Sequence, residues 1–449
     1  MGRIFGTDGV RGIANSELTA QLAFKLGQAG AKVLTKNCSG APKILVGKDT
    51  RASGDMLEAS LNAGFCTMGA QVYCVGVLPT PAVAYLIRKY NMDAGVVISA
   101  SHNPMEYNGI KFFSSEGYKL SDELEAEIEE YVLDGKDLGE LPVGKDVGRV
   151  HTKRSGMQDY VDYIRSTVDG DFSNLKIALD CANGASFECA KLLFDSLGAK
   201  AEYICNTPDG CNINDGCGST HTQKLSEYVK NGGFDLGLAF DGDADRLLAV
   251  DENGVLVDGD KIMAICALEL RKQGKLKRDT VVATVMSNLG FFNALKANGI
   301  KYEQTTVGDR YVLENMLANG YCIGGEQSGH IIFLDYNTTG DGLMTAVRLT
   351  SALRDSGKKM SDLASVVEIL PQVLVNARIK NENKNTYMED KEIAEAIRKI
   401  EEKFAGNGRV LIRPSGTEPL VRVMLEGKDK SEIKEEATAL AKMIEERLG

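Results

Sequence analysis

The sequence predicts an α/β protein with three similar βαβ-type domains, mostly parallel sheets, and a smaller α+β domain at the C-terminal end. Two observations lead to this fold class. Apolar, strand-like runs alternate with helix-like segments, which is typical of βαβ units and parallel sheets. The alternation occurs three times in the same order and then stops at a linker near residues 368–386, which contains Pro371 and a polar run.

The internal repeat has three strands in each copy. A helix separates the first strand from the second, a glycine precedes the second, and a polar loop follows the third. Generic βαβ units could resemble one another by chance, but the matching order of all three strands argues for a true repeat. The copies predict domains at 1–155, 156–255 and 256–368. The strands are KILVG at 43, GAQVYCVG at 69 and GVVISASHNP at 95; KIALD at 176, GAKAEYIC at 198 and LGLAFDGDADR at 236; TVVATV at 280, GIKYEQTT at 299 and CIGGEQSGH at 322.

The C-terminal stretch follows a different plan and predicts a fourth domain at 369–449. Residues 388–404 have the periodicity of an amphipathic helix, and residues 430–447 predict a second helix rich in Glu and Lys. Between them, the segment VLIRPSGTEPLVRVMLEG predicts a strand, a turn and a returning strand. This pattern favours a small α+β domain.

Composition and charge exclude several classes of partner. The chain of 449 residues is 43% hydrophobic and 26% charged, as is usual for a soluble globular protein. Its formal net charge of −11 argues against nucleic acid or an anionic membrane as the main partner. No segment resembles a signal peptide or a transmembrane helix. We therefore expect a cytoplasmic protein that binds any anionic ligand through a local cluster of Lys and Arg.

Ten cysteines are scattered along the chain without a CxxC pair. Cys205, Cys211 and Cys217 are evenly spaced and would allow a metal site, but thiolate sites usually have tightly paired ligands. We therefore expect reduced thiols, as is usual in a cytoplasmic protein.

The third strand of the first repeat leads into a group of polar residues. Residues 96–98 are apolar and β-branched, as in a strand with both sheet faces covered, and the loop SASHNP follows. In open α/β sheets, ligands bind beyond the carboxyl ends of the strands. Ser101 is therefore a candidate nucleophile with His102 beside it, and Lys111 could return to the same cleft. The alternative is a loop capped by Ser and Asn hydrogen bonds.

The second repeat ends in FDGDADR, which places Asp241, Asp243 and Asp245 at alternating positions. In an extended loop their side chains would point the same way and repel one another. A cation relieves such repulsion, and hard oxygen ligands suit Mg²⁺. We exclude an EF-hand because Arg246 stands where that loop requires glycine. A solvated acidic turn is the remaining alternative.

The third repeat ends in GGEQSGH. Its glycines let the backbone approach a ligand closely. Glu326 and Ser328 alternate, so both could face one substrate and bind its hydroxyl groups. An ordinary glycine-rich turn is the alternative.

The predicted turn of the fourth domain, RPSGTEP, offers a guanidinium, two hydroxyls and backbone amides, and a second arginine follows on the return strand. Phosphate dianions are bound by forked Arg contacts and by N–H groups. We therefore expect a phosphate site here, with an ordinary hairpin as the alternative. The candidate residues are Arg413, Ser415, Gly416, Thr417 and Arg422.

Two further loops are expected to bring positive charge to an anionic ligand. FGTDGVRG, near the N-terminus, supplies Thr7, Asp8 and Arg11 between glycines. VGKDTRASG, after the first strand, supplies Lys48 and Arg51.

The motifs SASHNP, DGDADR, GEQSGH and RPSGTEP resemble those of the α-D-phosphohexomutase superfamily and occur in the same order. The resemblance spans essentially the whole chain. FGTDGVRG, the Ala in DGDADR and the Gln in GEQSGH resemble the bacterial branch that acts on glucosamine phosphates. Relatives that act on mannose and glucose phosphates tend to show DGDGDR and GEMSGH instead.

This resemblance implies three α/β domains and a smaller fourth domain around one cleft. It also implies that Ser101 carries a phosphoryl group, and that Mg²⁺ is held by Asp241, Asp243, Asp245 and a phosphate oxygen on Ser101. The expected reaction interconverts glucosamine 6-phosphate and glucosamine 1-phosphate through a bisphosphorylated sugar, supplying amino-sugar precursors for cell-wall synthesis. A hexose or hexosamine bisphosphate would be the activator that phosphorylates Ser101.

Several alternatives stay open from the sequence. Lys111, His102 and Arg11 are candidates for proton transfer and charge stabilisation, with no choice between Lys111 and His102 as general base. The substrate could be mannose or glucose phosphate, or water could accept the phosphoryl group, as in a Mg²⁺-dependent phosphatase. A sugar-phosphate sensor without catalysis is a third possibility. Related bacterial enzymes suggest a homodimer.

Overall fold

The computed structural model describes the chain in five stretches, 2–6, 8–38, 40–383, 386–415 and 418–449. The chain divides into two compact units. The first contains residues up to 286 together with 300–366, and the second contains 287–299 together with 367–449. Within the described stretches, no helix is long and apolar enough to span a membrane.

The first repeat forms a seven-stranded sheet in the first unit. Its elements are β1 (Phe5–Gly6), β2 (Gly9–Ile13), α1 (Ala20–Leu34), β3 (Lys43–Lys48), α2 (Ser53–Thr67), β4 (Gln71–Val77), α3 (Thr80–Lys89), β5 (Ala94–Ile98), β6 (Tyr107–Ser114), α4 (Asp122–Leu133) and β7 (Val150–Thr152). The strand order is β1-β2-β6-β5-β3-β4-β7. All five residues of β5 are buried, as the apolar run AGVVI predicts for an inner strand.

The second repeat forms a five-stranded sheet in the order β12-β11-β10-β8-β9. Its elements are α5 (Gly156–Ser166), β8 (Lys176–Asp180), α6 (Ser186–Ser196), β9 (Lys200–Ile204), α7 (Gln223–Gly232), β10 (Leu236–Phe240), β11 (Leu247–Asp251) and β12 (Leu256–Val257). Strand β10 is buried at all five positions, like β5 in the first sheet.

The third repeat forms a four-stranded sheet in the order β14-β13-β15-β16. Its elements are α8 (Gly259–Lys272), β13 (Thr280–Thr284), α9 (Leu289–Ala297), β14 (Lys301–Thr305), α10 (Asp309–Asn319), β15 (Ile323–Gly325), β16 (Ile331–Phe333), α11 (Gly342–Ser356) and α12 (Met360–Ala364). Helix α9 is grouped with the second unit, whereas the four strands belong to the first.

The three sheets share one core arrangement. In each, the third strand of the repeat pairs in parallel with the first, and the first pairs in parallel with the second. The strand after the polar loop then returns antiparallel beside the third strand. The predicted triplication is confirmed by this common order, and it places the three polar loops at equivalent hairpins.

The second unit contains the predicted α+β arrangement. Its remaining elements are β17 (Gln372–Arg378), α13 (Lys391–Phe404), β18 (Gly408–Pro414), β19 (Leu420–Gly427) and α14 (Lys430–Leu448). The strands form an antiparallel sheet in the order β17-β19-β18. Helix α13 buries Ile393, Ile397, Ile400 and Phe404 against this sheet and α14, as its amphipathic pattern predicts. The boundaries proposed for the four domains from the sequence stay predictions.

Candidate active site

The loop after β5 holds Ser101 in a strained backbone conformation. Ser101 is 1% exposed and has a φ of 52°, in the left-handed region that non-glycine residues rarely adopt. Its N–H donates to Ser99 Oγ at 3.0 Å, and Ser99 Oγ in turn donates to Asp49 Oδ2 at 2.6 Å. Such strain persists only where surrounding contacts fix it, and it is concentrated at functional sites.

The carbonyl side of Ser101 is fixed by two residues that are distant in sequence. Arg51 Nη2 donates to the carbonyl oxygens of Ser101 at 3.0 Å and Asn103 at 2.7 Å. Asn214 Nδ2 donates to the same two oxygens at 2.9 and 3.1 Å. The loop is therefore held on both sides, which leaves the Ser101 hydroxyl as its oriented reactive group.

The prediction that Lys48 and Arg51 bring positive charge to a ligand is wrong. Arg51 is 2% exposed and is paired with Asp49 at 2.9 Å in addition to its carbonyl contacts. Lys48 Nζ lies 2.6 Å from both Asp55 and Glu58. Both cations already have carboxylate partners within the fold; Arg51 positions the Ser101 loop, whereas Lys48 joins β3 to α2.

The three aspartates of FDGDADR converge beside Ser101. Ser101 Oγ donates to Asp241 Oδ2 at 2.7 Å. Asp241, Asp243 and Asp245 are all buried, and each offers a carboxylate oxygen within 4.8 Å of the others. The expected extended loop was wrong, because these residues lie in a turn in which Ala244 has a φ of 54°. The turn, and not simple alternation, brings the carboxylates together.

The electrostatics of this cluster favour a bound cation. Burial raises the pKa of Asp241 well above its usual range, and the charges of Asp245 and Asp243 raise it further. Among the described residues, Asp243 Oδ1 and Asp245 Oδ1 are buried without a hydrogen-bond partner. Buried carboxylate oxygens of this kind suit a hard divalent cation such as Mg²⁺. The residues present therefore fit a metal site.

Gly242 permits the aspartate turn to approach the Ser101 loop. A Cβ at this position would lie 2.5 Å from the carbonyl oxygen of Ser101 and 2.8 Å from Asn214 Nδ2. Real side chains essentially never approach backbone so closely, so the contact between the two loops requires glycine here.

Lys111 carries a buried positive charge into this site from β6. Its Nζ lies 2.7 Å from Asp243 Oδ2 and 2.8 Å from Asp8 Oδ2, and the residue is 2% exposed. Burial acts to lower the pKa of Lys111, but Asp243 and Asp8 outweigh it and raise the pKa. Lys111 is therefore a fixed cation near neutral pH. Lys111 thus contacts the aspartate turn that follows β10, and its place in a ligand-binding cleft stays a prediction.

A chain of ion pairs continues from Asp8 to residues that the sequence did not single out. Lys119 Nζ lies 2.6 Å from Asp8 and 2.6 Å from Asp309. His330 lies 3.4 Å from Asp309 through Nε2 and 3.5 Å from Asp245 through Nδ1. His330 ends GEQSGH and could have been noticed there, but nothing in the sequence pairs Lys119 with Asp309.

His102 lies between Ser101 and a second arginine. Its Nδ1 is 3.3 Å from Ser101 Oγ and 3.1 Å from Arg246 Nη1. Burial lowers the pKa of His102 to about 4, with the charges of Arg246 and Arg11 as further causes. Its ring is therefore neutral at neutral pH. Arg11 is paired with Asp8. Thr7 lies outside the described residues.

Glu326 and Ser328 are brought together by the turn after β15. Ser328 Oγ donates to Glu326 Oε2 at 3.4 Å, and Glu326 Oε1 accepts from the Gly308 N–H at 3.2 Å. Ser328 is exposed and Glu326 is half-buried. Both side chains remain able to contact a ligand, although a turn, and not the expected alternation, places them together.

In the second unit, the antiparallel register places Arg413 of β18 directly opposite Arg422 of β19. Like charges at opposed positions destabilise a sheet. Burial and the charge of Arg422 both lower the pKa of Arg413. Ser415 is buried, and its Oγ accepts from the Glu418 N–H at 3.3 Å. The other two candidates in this turn, Gly416 and Thr417, lie outside the described residues.

Comparison with protein families gives four matches in chain order. All four belong to phosphoglucomutase/phosphomannomutase: α/β/α domain I at residues 2–138, α/β/α domain II at 158–254, α/β/α domain III at 258–369 and the C-terminal domain at 374–443. Together these matches cover most of the chain.

Relatives of similar length support the same assignment. The chain is 62% identical over 449 residues to the phosphoglucosamine mutase of Acetivibrio thermocellus and 59% identical over 448 residues to that of Clostridioides difficile, with all of each chain covered. Its fold resembles a phosphoglucomutase/phosphomannomutase family protein from Burkholderia thailandensis, with a TM-score of 0.81, 23% identity, and coverage of 99% of this chain and 98% of that one. As its four motifs predict, this chain belongs to the phosphoglucomutase/phosphomannomutase family of the α-D-phosphohexomutase superfamily.

Proposed function

We propose that this chain is a phosphoglucosamine mutase that interconverts glucosamine 6-phosphate and glucosamine 1-phosphate. Ser101 carries the phosphoryl group, donates it to the free hydroxyl of the sugar monophosphate, and recovers the other phosphate from the bisphosphorylated sugar. A hexose or hexosamine bisphosphate phosphorylates Ser101 at the outset. The product supplies amino-sugar precursors for cell-wall synthesis.

The observation that carries this proposal is the position of the Ser101 hydroxyl. It lies 2.7 Å from a carboxylate oxygen of a buried three-aspartate cluster, in a loop fixed on both sides. A nucleophile held in one geometry beside a cation site is the arrangement that phosphoryl transfer requires. The names of the bacterial relatives at about 60% identity support glucosamine phosphate as the substrate.

Asp241, Asp243 and Asp245 would hold Mg²⁺ together with a phosphate oxygen on Ser101. Bound there, the ion would supply charge stabilisation for the phosphoryl oxygens. Asp243 is also paired with Lys111, so part of its charge is compensated without the metal. The three aspartates therefore differ in how much they depend on a bound cation.

Lys111 and His102 take different roles in this proposal. Lys111 keeps its proton and places a fixed positive charge near Ser101, because Asp243 and Asp8 raise its pKa. His102 is neutral, accepts a hydrogen bond from Arg246 at Nδ1, and lies beside Ser101 Oγ. Of the two, only His102 is unprotonated at neutral pH, and its low pKa makes it a weak base. Arg11 stabilises negative charge on the transferred phosphoryl group, and its pairing with Asp8 holds the guanidinium in place.

Substrate binding is assigned to two groups of residues. Glu326 and Ser328 offer a carboxylate and a hydroxyl for the sugar hydroxyls. Arg413, Ser415 and Arg422, together with Gly416 and Thr417, bind the phosphate that is not transferred. Two arginines of like charge on opposite strand positions gain most from a dianion placed between them.

A coupled assay separates this function from its alternatives. The purified chain, with Mg²⁺ and a sugar bisphosphate activator, is given glucosamine 6-phosphate, glucose 6-phosphate and mannose 6-phosphate in parallel, and inorganic phosphate is measured. We expect the highest kcat/KM on glucosamine 6-phosphate with no phosphate release. A higher kcat/KM on glucose or mannose phosphate would favour the other mutases, and release of inorganic phosphate would favour a phosphatase.

Two further parts of the proposal depend on the resemblance. We infer a homodimer, which light scattering tests by a mass near twice that of the 48.5 kDa chain. We also infer a cytoplasmic location, which fractionation of cells that express the natural protein would test.

A further inference from the structure

A second cluster of reactive side chains lies in the second repeat. Asp180 ends β8, Cys205 follows β9, and Cys217 precedes α7. One ligand atom from each lies within 4.8 Å of the others. Cys211, at the midpoint of the same segment, is exposed and is not part of this cluster. The assigned chemistry at Ser101 uses none of these side chains.

The two thiols differ in charge and access. Lys224 Nζ lies 3.3 Å from Cys205 Sγ. The hydrogen bond from Cys217 and the contact with Lys224 together lower the pKa of Cys205 to about 7, against the effects of burial and of the Asp180 charge. Cys205 is half-buried, whereas Cys217 is 1% exposed. An accessible thiolate beside a buried thiol is typical of a reactive cysteine and its resolving partner.

The surroundings favour thiol chemistry over metal binding. Asp180 already accepts hydrogen bonds at both oxygens, from the Ala182 and Gly218 N–H groups at 2.9 Å each. The Lys224 ammonium lies at the Cys205 sulfur, where it would oppose a cation. A three-ligand metal site would have to displace Lys224 from the Cys205 sulfur and to share the Asp180 oxygens with the two N–H donors.

The segment between the two cysteines is connected to the Ser101 loop. Asn214 Nδ2 donates to the carbonyl oxygens of Ser101 and Asn103. The carbonyl of Gly210 accepts from the Ala52 N–H at 2.9 Å, next to Arg51. Cys205 itself has a φ of 47°, so the segment starts from a strained residue. A covalent link at the ends of this segment would act on the contacts that hold Ser101.

We propose that Cys205 and Cys217 form a peroxide-sensitive thiol pair whose oxidation to a disulfide alters the loop that holds Ser101. The Cys205 thiolate attacks one oxygen of hydrogen peroxide, the O–O bond breaks, and a sulfenic acid and hydroxide form. Cys217 sulfur then attacks Cys205 sulfur, the S–O bond breaks, and water leaves with the Cys217 proton. Two electrons pass from the sulfur pair to the peroxide.

The disulfide shortens the sulfur–sulfur separation to about 2.05 Å. Cys217 lies three residues from Asn214, so this shortening displaces the amide that binds the Ser101 carbonyl. The second part of the inference, a loss of mutase rate, rests on the proposed function. The first part, disulfide formation, does not.

The test uses the full chain treated with hydrogen peroxide, alkylated, and mapped by non-reducing peptide mass spectrometry. We expect a Cys205–Cys217 link in wild type and in Cys211→Ser, and no such link in Cys205→Ser or Cys217→Ser. In Cys217→Ser we expect sulfinic acid at Cys205. Wild type should lose most of its mutase rate and regain it with dithiothreitol, and Cys205→Ser should keep its rate.

Three results would overturn the inference. Oxidation confined to Cys211 would show that the pair is not reactive. One Zn²⁺ per untreated chain, lost in Cys205→Ser, would show a metal site instead. A mapped disulfide with an unchanged mutase rate would refute the connection to Ser101. Peptide mapping needs no mutase activity, so failure of the thiol pair and failure of the proposed function give different results.

Discussion

The loops around Ser101 and the facing strands β18 and β19 differ in whether their positive charges have carboxylate partners. Around Ser101, the cations Arg51 and Lys111 each have a carboxylate partner within 3 Å. Across β18 and β19, Arg413 and Arg422 face each other, and among the described residues no carboxylate lies within ion-pair distance of Arg413. Within the described stretches, the one carboxylate partner of Arg422 is the exposed Glu418, at 3.9 Å.

This difference separates groups that position from groups that bind. A compensated charge is held in place by its partner, so it fixes geometry before any ligand arrives. An uncompensated pair of guanidiniums lowers the stability of the free protein, because the two charges repel each other. A bound anion removes this repulsion and restores the stability. Variants in the first region should therefore act mainly on kcat, and variants in the second mainly on KM.

The largest effect is expected from Asp243→Asn. It removes a carboxylate from the metal cluster and leaves buried Lys111 with Asp8 alone. We expect kcat to fall about a hundredfold or more, and the free energy of unfolding to fall by up to about 3 kcal/mol. Mg²⁺ titration of the mutase rate and urea unfolding measure the two effects.

Asp241→Asn is the matched control for that stability effect. Burial and the neighbouring carboxylates raise the pKa of Asp241, so its charge is unfavourable in the metal-free protein. We expect Asp241→Asn to lose activity as well, but to keep or gain stability without Mg²⁺. Equal stability losses in the two variants would show that Lys111 does not depend on Asp243.

Gly242→Ala tests whether the contact between the two loops sets the rate. Its Cβ would lie 2.5 Å from the Ser101 carbonyl oxygen, so one loop must move. Displacements near 1 Å can cost about a hundredfold in rate, and we expect kcat to fall tenfold to a hundredfold with little change in KM. Gly54→Ala is the control, because its Cβ would meet nothing closer than 3.4 Å. A full rate in Gly242→Ala would contradict this geometry.

Arg413→Ala should show the opposite kinetic pattern. One charge-assisted hydrogen bond contributes about 1.5–3 kcal/mol, and each 1.4 kcal/mol is tenfold. We therefore expect kcat/KM to fall about tenfold to a hundredfold, mainly through a higher KM for the sugar monophosphate. The free energy of unfolding should stay the same or rise, since one of two like charges at opposite strand positions is removed. An unchanged KM would place the phosphate anchor elsewhere.

The smallest effect concerns Glu125, a half-buried acid of α4 whose charge is only partly offset by Arg310 and Lys119. Burial raises the pKa of Glu125 to about 7, with the charge of Asp122 as a further cause. A folded-state pKa above the unfolded value means that stability is highest at low pH and falls as pH rises through about 7. Glu125→Gln should therefore match wild type near pH 4 and exceed it at pH 8, by about 1 kcal/mol or less. Urea unfolding at both pH values checks this sign.

The sequence predicted the repeated fold because its signals are local. Buried β5 and β10 appear as apolar runs, and each is followed by a polar loop at an equivalent hairpin. Ser101 follows a strand of the first sheet and the three aspartates follow a strand of the second, each beyond a carboxyl end, where ligands usually bind. The sequence therefore identified both loops, but their contact at 2.7 Å depends on how the first two repeats pack together.

The supporting contacts could not be predicted because their partners are far apart in sequence. Thr80 Oγ1 donates to Asp243 Oδ2 across 163 positions, and Asn214 reaches Ser101 across 113. Arg51 was assigned to a ligand because a basic residue in a loop gives no sign of which partner it has. Asp49, two residues before it, is that partner, and only the fold shows that both are buried.

Phosphate transfer to the unlabelled enzyme tests the central claim most directly. Dephosphorylated wild type is incubated with Mg²⁺ and glucosamine 1,6-bisphosphate, and phosphate is located by intact-mass analysis and peptide mapping. Ser101→Ala is treated in parallel. The structure predicts one phosphate per chain, located on Ser101, and neither label nor mutase turnover in Ser101→Ala. Phosphate on another residue, or a fully active Ser101→Ala enzyme, would contradict the account.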